Sequence, residues 1–383
     1  MRVIKGASVP RPALAVIWVA LSVLASSFGQ SQETRLDPAK RHQIEEAVSA
    51  YMSSTHTPGL AVSVVENGEY EWAQGFGVAD LENNVPASEH TLFRLASISK
   101  SLTATAALEL WERGRLDLDA PVQKYCPSFP KKPWPISTRE VMGHIGGIRH
   151  YNSDSQDDPE TGNTKHFDDP IQAGLKFFKD DPLVSQPGTS FHYSTQGYTL
   201  VGRVMEGASG EKYVDFMRQN VLAPAQMEET RVDDRFTIIP YRTRFYAKTD
   251  SGAIHNADFL DSSYKIPGGG WLSSAEDMAK FEVAILNDKL IRRATRDLIW
   301  APLKPSDGKT DLYALGWGWR KQKTGEVRAV GHDGGQQGTS TAFLIAPDQR
   351  AAVVVLTNLE DQRPSELART ILNTLVPASE KKP

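Results

Sequence analysis

One cysteine, Cys126, stands among the 383 residues, so no intrachain disulfide can brace the fold. No apolar run reaches the roughly 20 residues that a membrane-spanning helix needs. Nor is there a basic field. The 43 Lys and Arg are dispersed against 47 Asp and Glu, a net charge of −4, so nothing supports a nucleic-acid partner. The chain lacks a Gly-x-Ser-x-Gly elbow, a His-Glu-x-x-His helix and a Walker-type loop, and its nine histidines show no zinc-ligand spacing. These absences argue against an α/β-hydrolase, a zinc peptidase and a nucleotide-binding enzyme, and no metal or cofactor is expected. Internal repeats and low-complexity tracts are missing too.

What is present is an ordinary globular composition, 40% hydrophobic and 23% charged, long enough for one large domain or two intimate ones. The first 29 residues stand apart. Arg2, Lys5 and Arg11 form a basic start, residues 13–25 are apolar, and Ser27-Phe28-Gly29 offers small residues to a signal peptidase. This pattern predicts a signal peptide over 1–29 and a periplasmic or secreted protein, with an uncleaved anchor as the alternative. The absence of acids before Glu33 also fits a mitochondrial transit peptide, but a continuous apolar core argues against an amphipathic one.

Asp37-Pro38 reads as a cap followed by proline at the first helical position, and Ile44, Ala47, Val48, Tyr51 and Met52 continue at helical spacing. Residues 60–65, the turn signal Asn67-Gly68 and residues 70–78 predict a β-hairpin. A helix follows Ser97 through Ala104, Ala107, Leu108 and Trp111 towards a Gly114 cap. Residues 115–230 read as mostly helical, with helices over 138–145, 197–208 and 213–222 and a polar loop over 152–170. Ser273-Ser274-Ala275-Glu276 resembles a capping box opening a helix over 275–287. Strand patterns return at 312–320, 326–330, 339–346 and 351–357, and an amphipathic helix spans 364–376.

The expected fold class is therefore α/β of the α+β type. One antiparallel sheet is built from both chain ends and flanked by the first and last helices, with an all-helical domain inserted between. The expected domain covers 37–377, with its sheet part at 37–95 and 290–377, its helical part at 96–265, and a charged tail at 378–383. A cleft between the two parts is the default site.

Six Ser-x-x-Lys tetrads occur, beginning at Ser97, Ser128, Ser209, Ser262, Ser306 and Ser379. Only Ser97 follows an apolar, strand-like approach (Leu92-Phe93-Arg94-Leu95-Ala96) and leads into a long helical pattern. Ser128 sits among prolines, Ser209 and Ser306 precede glycines, Ser262 lies in a polar stretch before Pro267, and Ser379 lies in the tail. A serine hydroxyl is a poor nucleophile unless a base lies within hydrogen-bond reach. Three residues are nearly one helical turn, so Lys100 shares a face with Ser97. The plain alternative is a helix cap with a solvated lysine.

Two later segments gain meaning beside this pair. Tyr193-Ser194-Thr195 follows a loop over 186–190 and precedes a helix. A phenol held near a cation is pushed towards phenolate and can relay protons. His332-Asp333-Gly334-Gly335 is expected between two strands, its glycines letting backbone approach a ligand. Taken singly, Tyr193 fits a core tyrosine and His332 a turn histidine.

In order, the serine tetrad, the Tyr-Ser-Thr triad and the late His-x-Gly resemble the serine β-lactamase and penicillin-binding-protein superfamily. The branch is that of class C β-lactamases, D-alanyl-D-alanine carboxypeptidases and related esterases. Further matching segments are Gly147-Ile148-Arg149-His150-Tyr151, Arg244-Phe245-Tyr246, and Ser263-Tyr264-Lys265 with Gly268-Gly269-Gly270. The resemblance spans about 37–377 and implies a β-lactamase or DD-peptidase-like fold. It implies a hydrolase that forms an acyl-enzyme on amide or ester bonds of a small peptide or ester. A peptidase is the first reading, with β-lactamase, D-alanyl-D-alanine carboxypeptidase and esterase as alternatives, and a penicillin-recognising sensor as the non-enzyme reading.

By the same resemblance Ser97 is the nucleophile, Lys100 its base and Tyr193 a proton relay. The N–H groups of Ser97 and Gly335 form an oxyanion hole, with Gly334 beside them on the His332 strand. Two departures matter. Thr195 stands where the family has an asparagine, and a threonine hydroxyl cannot offer the same donor–acceptor pair. His332 replaces a permanently charged lysine. Both point to small peptides or esters in preference to penicillins. If His332 grips a substrate carboxylate as imidazolium, anionic substrates should bind less well as pH rises through about 6.5.

Overall fold

Asp37 starts the first helix as its sequence predicts: its carboxylate accepts the N–H groups of Ala39 and Lys40, and Pro38 takes the first position of α1 (Pro38–Thr55). The computed structural model describes residues 35–151, 163–309, 312–320 and 327–376, which belong to one unit beginning at Arg35. The expected signal peptide, residues 152–162 of the expected polar loop over 152–170, the expected start of a strand at Glu326, the Ser379 tetrad and the tail at 378–383 lie outside the described residues.

Strands β1 (Gly59–Glu66) and β2 (Glu69–Asp80) meet through Asn67 and Gly68 at φ 54° and 78°, the two left-handed positions such a hairpin turn requires. β3 (Val85–Pro86) and β4 (Phe93–Arg94) follow, then α2 (Ser99–Glu112), which Gly114 ends at φ 70°. The helical stretch holds α3 (Thr138–Met142), α4 (Pro170–Lys176), α5 (Thr195–Ser209) and α6 (Tyr213–Met217). Short pieces come next: β5 (Arg231–Val232), β6 (Tyr246–Lys248), β7 (Ile254–Asn256), α7 (Ile266–Gly269) and β8 (Trp271–Ser273). After α8 (Ala275–Leu286) and α9 (Arg293–Ile299) the chain returns to strands β9 (Gly318–Trp319), β10 (Val330–Gln336), β11 (Thr339–Ala346) and β12 (Ala351–Thr357), and ends in α10 (Pro364–Leu375).

Among the described residues the main sheet has the order β3-β2-β1-β12-β11-β10-β9 and is antiparallel at each junction. Its centre joins the chain ends, Leu60 opposite Thr357 and Val65 opposite Ala352. Alternate side chains point to opposite faces. Leu60, Val62, Val64, Val353 and Val355 meet Ile44, Val48, Leu367 and Ile371 of α1 and α10. Ala61, Val354, Leu356 and Phe343 join the cluster of Leu102, Ala106, Met278 and Phe281 from α2 and α8. Both faces are covered, which is why β12 reads as an unbroken apolar run and is buried throughout. The second cluster continues through Leu200, Val204 and Phe216 of α5 and α6, so the sheet and the helical part share one core.

Three local readings are corrected. His332-Asp333-Gly334-Gly335 lies inside β10, because pairing with β11 supplies the order that two glycines lack. The strand expected over 312–320 is reduced to Gly318–Trp319, since Leu312 and Gly316 adopt φ 58° and 76°. The cap of α8 is Ser274, which accepts the Asp277 N–H, in place of the box expected from Ser273 and Glu276. No helix among the described residues is long and apolar enough to cross a membrane.

Candidate active site

The approach to Ser97 is fastened at every step. Leu95 N–H donates to Trp271 O at 2.9 Å, and the hydroxyls of Thr339 and Thr341 on β11 donate to Arg94 O and Leu95 O, each at 3.0 Å. Arg94 is itself locked, 2.7 Å from the Asp233 carboxylate. Ala96 then takes φ 47°, a left-handed conformation that costs a residue with a β-carbon about 1–2 kcal/mol. The chain turns sharply and Ser97 sits in a 3-10 turn, Ala96–Ile98, just before α2 begins. Of residues 91–110, Ser97 alone is not buried.

Lys100 is fully buried one turn on, its Nζ 3.0 Å from Ser97 Oγ, 3.1 Å from Thr195 Oγ1 and 2.7 Å from Gly268 O. Burial drives its pKa well below the usual lysine value, and repulsion from Lys265 adds to this. In its amine form, which burial favours, Lys100 has two N–H donors and one lone pair. Gly268 O can only accept, so it takes one N–H; Thr195 takes the other, and the lone pair is left facing the Ser97 hydroxyl. Thr195, expected to touch substrate, thus carries a second task beside Lys100.

Tyr193 lies with its ring centroid 4.9 Å from Lys100 Nζ. Burial pushes its phenol pKa up, the Ser97 hydroxyl opposes the rise, and the Asp333 charge adds to it. The phenolate expectation is therefore corrected: burial outweighs the neighbouring amine and Tyr193 rests as a neutral phenol. Two histidines set its place. The His144 ring lies 4.3 Å from that of Tyr193, and its Nδ1 accepts the Ser194 N–H at 3.1 Å. His150 Nδ1 accepts the Thr195 N–H at 3.3 Å. His144 had no sequence signal, whereas His150 fell within a matching segment.

His332 is also buried, its Nδ1 2.5 Å from Asp333 O and its Nε2 3.0 Å from the Tyr313 hydroxyl. A carbonyl only accepts, so Nδ1 carries the proton and Nε2 accepts from Tyr313. Burial, with Lys100 adding, pushes the His332 pKa down to about 3. The ring is neutral across the physiological range, and the imidazolium expectation is corrected. Any pH dependence that anionic substrates show near neutrality should accordingly keep its midpoint in a His332→Gln variant. A midpoint that vanished with the histidine would reinstate it as the titrating group.

Gly334 brings β10 against the approach to Ser97. A β-carbon there would lie 2.3 Å from Leu95 O and 2.3 Å from Thr341 Oγ1, whereas one at Gly335 would meet nothing within 4 Å. Among the described residues β9 covers β10 only at Val330 and Gly331, and the outer backbone edge from His332 onward has no strand partner there. Gly334→Ala is expected to destabilise by about 1–3 kcal/mol through forced strand displacement. Gly335→Ala is expected to stay within about 0.5 kcal/mol. Thermal unfolding of the two variants checks this, and equal losses would mean that flexibility matters here and close contact does not. Among the described residues no three His, Cys, Asp or Glu side chains gather as a metal site requires.

The family described as Beta-lactamase matches residues 44–376, and the chain belongs to it. It is a serine hydrolase of the β-lactamase and penicillin-binding-protein superfamily. One relative is the human mitochondrial serine beta-lactamase-like protein LACTB, 32% identical over 80% of this chain and 71% of that protein. Another is Penicillin-binding protein 4* of Bacillus subtilis, 29% identical over 83% of this chain and 72% of that protein. The octameric penicillin-binding protein homologue from Pyrococcus abyssi shares the fold, with a TM-score of 0.76 at 24% identity over 88% of this chain and 77% of that one.

Proposed function

We propose that the protein is an exported peptidase that cleaves amide or ester bonds of small peptides or esters through an acyl-enzyme on Ser97. The observation that carries this is the buried Lys100 Nζ, its ammonium disfavoured, 3.0 Å from Ser97 Oγ on the one residue of 91–110 that is not buried. Lys100 takes the hydroxyl proton as Ser97 Oγ attacks the carbonyl carbon. The N–H groups of Ser97 and Gly335 hold the oxyanion, in the low-dielectric setting where such donors count most. The ammonium formed on Lys100 is disfavoured by the same burial that keeps the resting amine neutral, so its proton is readily passed on. Tyr193 gives its own proton to the departing nitrogen or oxygen and recovers one from Lys100. Water then repeats the sequence on the acyl-serine, with Tyr193 and Lys100 taking its proton.

The preference for small peptides or esters over penicillins rests on β10. With His332 neutral and Thr195 engaged by Lys100, that strand offers no fixed cation. Export rests on the basic and apolar pattern of residues 1–29. The test is intact mass spectrometry after a fluorophosphonate and, separately, benzylpenicillin, with peptide mapping. One phosphonyl adduct on the Ser97 peptide is expected, and no adduct with either reagent would remove the reading. Benzylpenicillin turnover at a kcat/KM of about 10⁶ M⁻¹s⁻¹, typical of good enzymes, would make the protein a β-lactamase.

A further inference from the structure

We propose that His144 is the positioning residue of the proton relay: it clamps the chain on both sides of Tyr193 and so keeps that phenol aimed at the leaving group. The proposal rests on the hydrolase reading above and assigns a residue to its relay step.

His144 lies in the turn after α3 and reaches the segment before α5 in three ways. Its carbonyl oxygen accepts the His192 N–H at 2.7 Å, and its Nδ1 accepts the Ser194 N–H at 3.1 Å. One residue thus holds the N–H groups of both neighbours of Tyr193. Its ring also lies 4.3 Å from the Tyr193 ring, tilted by 46°. The turn that presents these groups is itself braced. Met142 O accepts the Tyr198 hydroxyl at 2.8 Å, and Ile145 O accepts the Gly188 N–H at 2.8 Å.

Packing alone does not explain an imidazole here. His144 takes φ 61°, a left-handed conformation uncommon outside glycine. Because Nδ1 accepts, the ring proton sits on Nε2, which is buried without a partner. A buried donor left unpaired is costly, and a phenyl ring would fill the space without that cost. What the phenyl lacks is the lone pair aimed at the Ser194 N–H. Burial, with Lys100, His332 and His150 adding, pushes the His144 pKa well below the usual histidine value, which keeps that lone pair free of a proton.

The clamp matters because of the step that Tyr193 performs. Its phenol is hydrogen-bonded with the Ser97 hydroxyl. When an amide is cut, the C–N bond breaks as the nitrogen gains a proton. Tyr193 O–H supplies that proton and regains one from the Lys100 ammonium. A p-nitrophenolate departs as the anion and needs no proton. Misplacing Tyr193 therefore slows the first reaction more than the second, whereas a general loosening of the site slows both alike.

The test compares kcat/KM for the p-nitroanilide and the p-nitrophenyl ester of one acyl group, and the anilide-to-ester ratio is the readout. Two variants remove the acceptor, so that failure of one to fold does not end the test. His144→Gly accepts the left-handed backbone, and His144→Gln carries its carbonyl oxygen beyond the Nδ1 position. His144→Asn puts an oxygen where Nδ1 was and tolerates the same backbone. The Gly and Gln variants should lower the ratio by about tenfold or more, and Asn should return it to within about threefold of wild type. In Tyr193→Phe, adding His144→Gly should lower the ratio no further, since the two residues serve one step. An unchanged ratio in the removal variants, with both substrates falling together, would make His144 a packing residue and overturn the proposal. An Asn variant as poor as the Gln one, or a further fall in the double variant, would overturn it too. Missing fluorophosphonate labelling of wild type overturns the hydrolase reading instead, because fluoride departs without a proton from Tyr193.

Discussion

Lys100→Met is expected to lower kcat/KM by about 10⁴-fold or more, since no other base can take the Ser97 proton in its place. Methionine fits the stem of the lysine and lacks the amine. Gly268 O then loses its 2.7 Å donor and Thr195 Oγ1 loses its 3.1 Å partner, so a stability cost of about 1–3 kcal/mol should appear in thermal unfolding. Activity and stability separate here, because a folded protein with its unfolding transition only slightly lowered should still be almost inert. Lys100→Arg should be equally inactive for a different reason: a guanidinium keeps its charge and has no lone pair to offer. The sign of the pH effect follows. Only deprotonated Lys100 can act, so wild-type activity should rise as pH climbs through the Lys100 pKa, a limb lying well below the ordinary lysine range because burial disfavours the ammonium. That limb should be missing from the residual activity of Lys100→Met. Activity within tenfold of wild type in either variant would show that Lys100 is not the base.

How much of this was legible in the chain depends on the kind of signal. Residues 92–112 were legible because a strand-like approach, a serine and a long helix follow one another in sequence, and the structure keeps that order. The Asn67-Gly68 hairpin was legible because few residue pairs accept two successive left-handed positions. Charge states were not. The shifts that favour the neutral forms of Lys100, Tyr193 and His332 come from burial by segments far apart in the chain, which no local pattern records. The burial of Lys265 was not legible for a related reason. Ser262 lies in a polar stretch of sequence, yet Asp261, Ser262 and Ser263 are all buried, with Asp261 held by His166 and by the Ser263 N–H. His144 shows the limit from the other side: its φ of 61° aims the ring at Tyr193, and nothing in Gly143-His144-Ile145 announces that turn.

The largest single loss is expected from Ser97→Ala, which should abolish fluorophosphonate labelling and lower kcat/KM by about 10⁴–10⁶-fold. Some rate above that of water should survive through the oxyanion donors and binding alone. The fold should barely notice. Ser97 is partly exposed in a 3-10 turn, and its replacement should change stability by no more than about 0.5 kcal/mol. The other tetrads make the test sharp. Ser128 and Ser306 are exposed, and Ser209 ends α5 where a nucleophile would need to precede a helix. Ser262 is the serious competitor, because its lysine, Lys265, reaches the same site. Its hydroxyl, however, is wholly buried and without a partner, so neither a substrate nor a base meets it. Peptide mapping of labelled Ser97→Ala decides between the two serines. A phosphonyl group found on Ser262 would move the nucleophile to the Ser262 tetrad, and with it the whole assignment of base and relay.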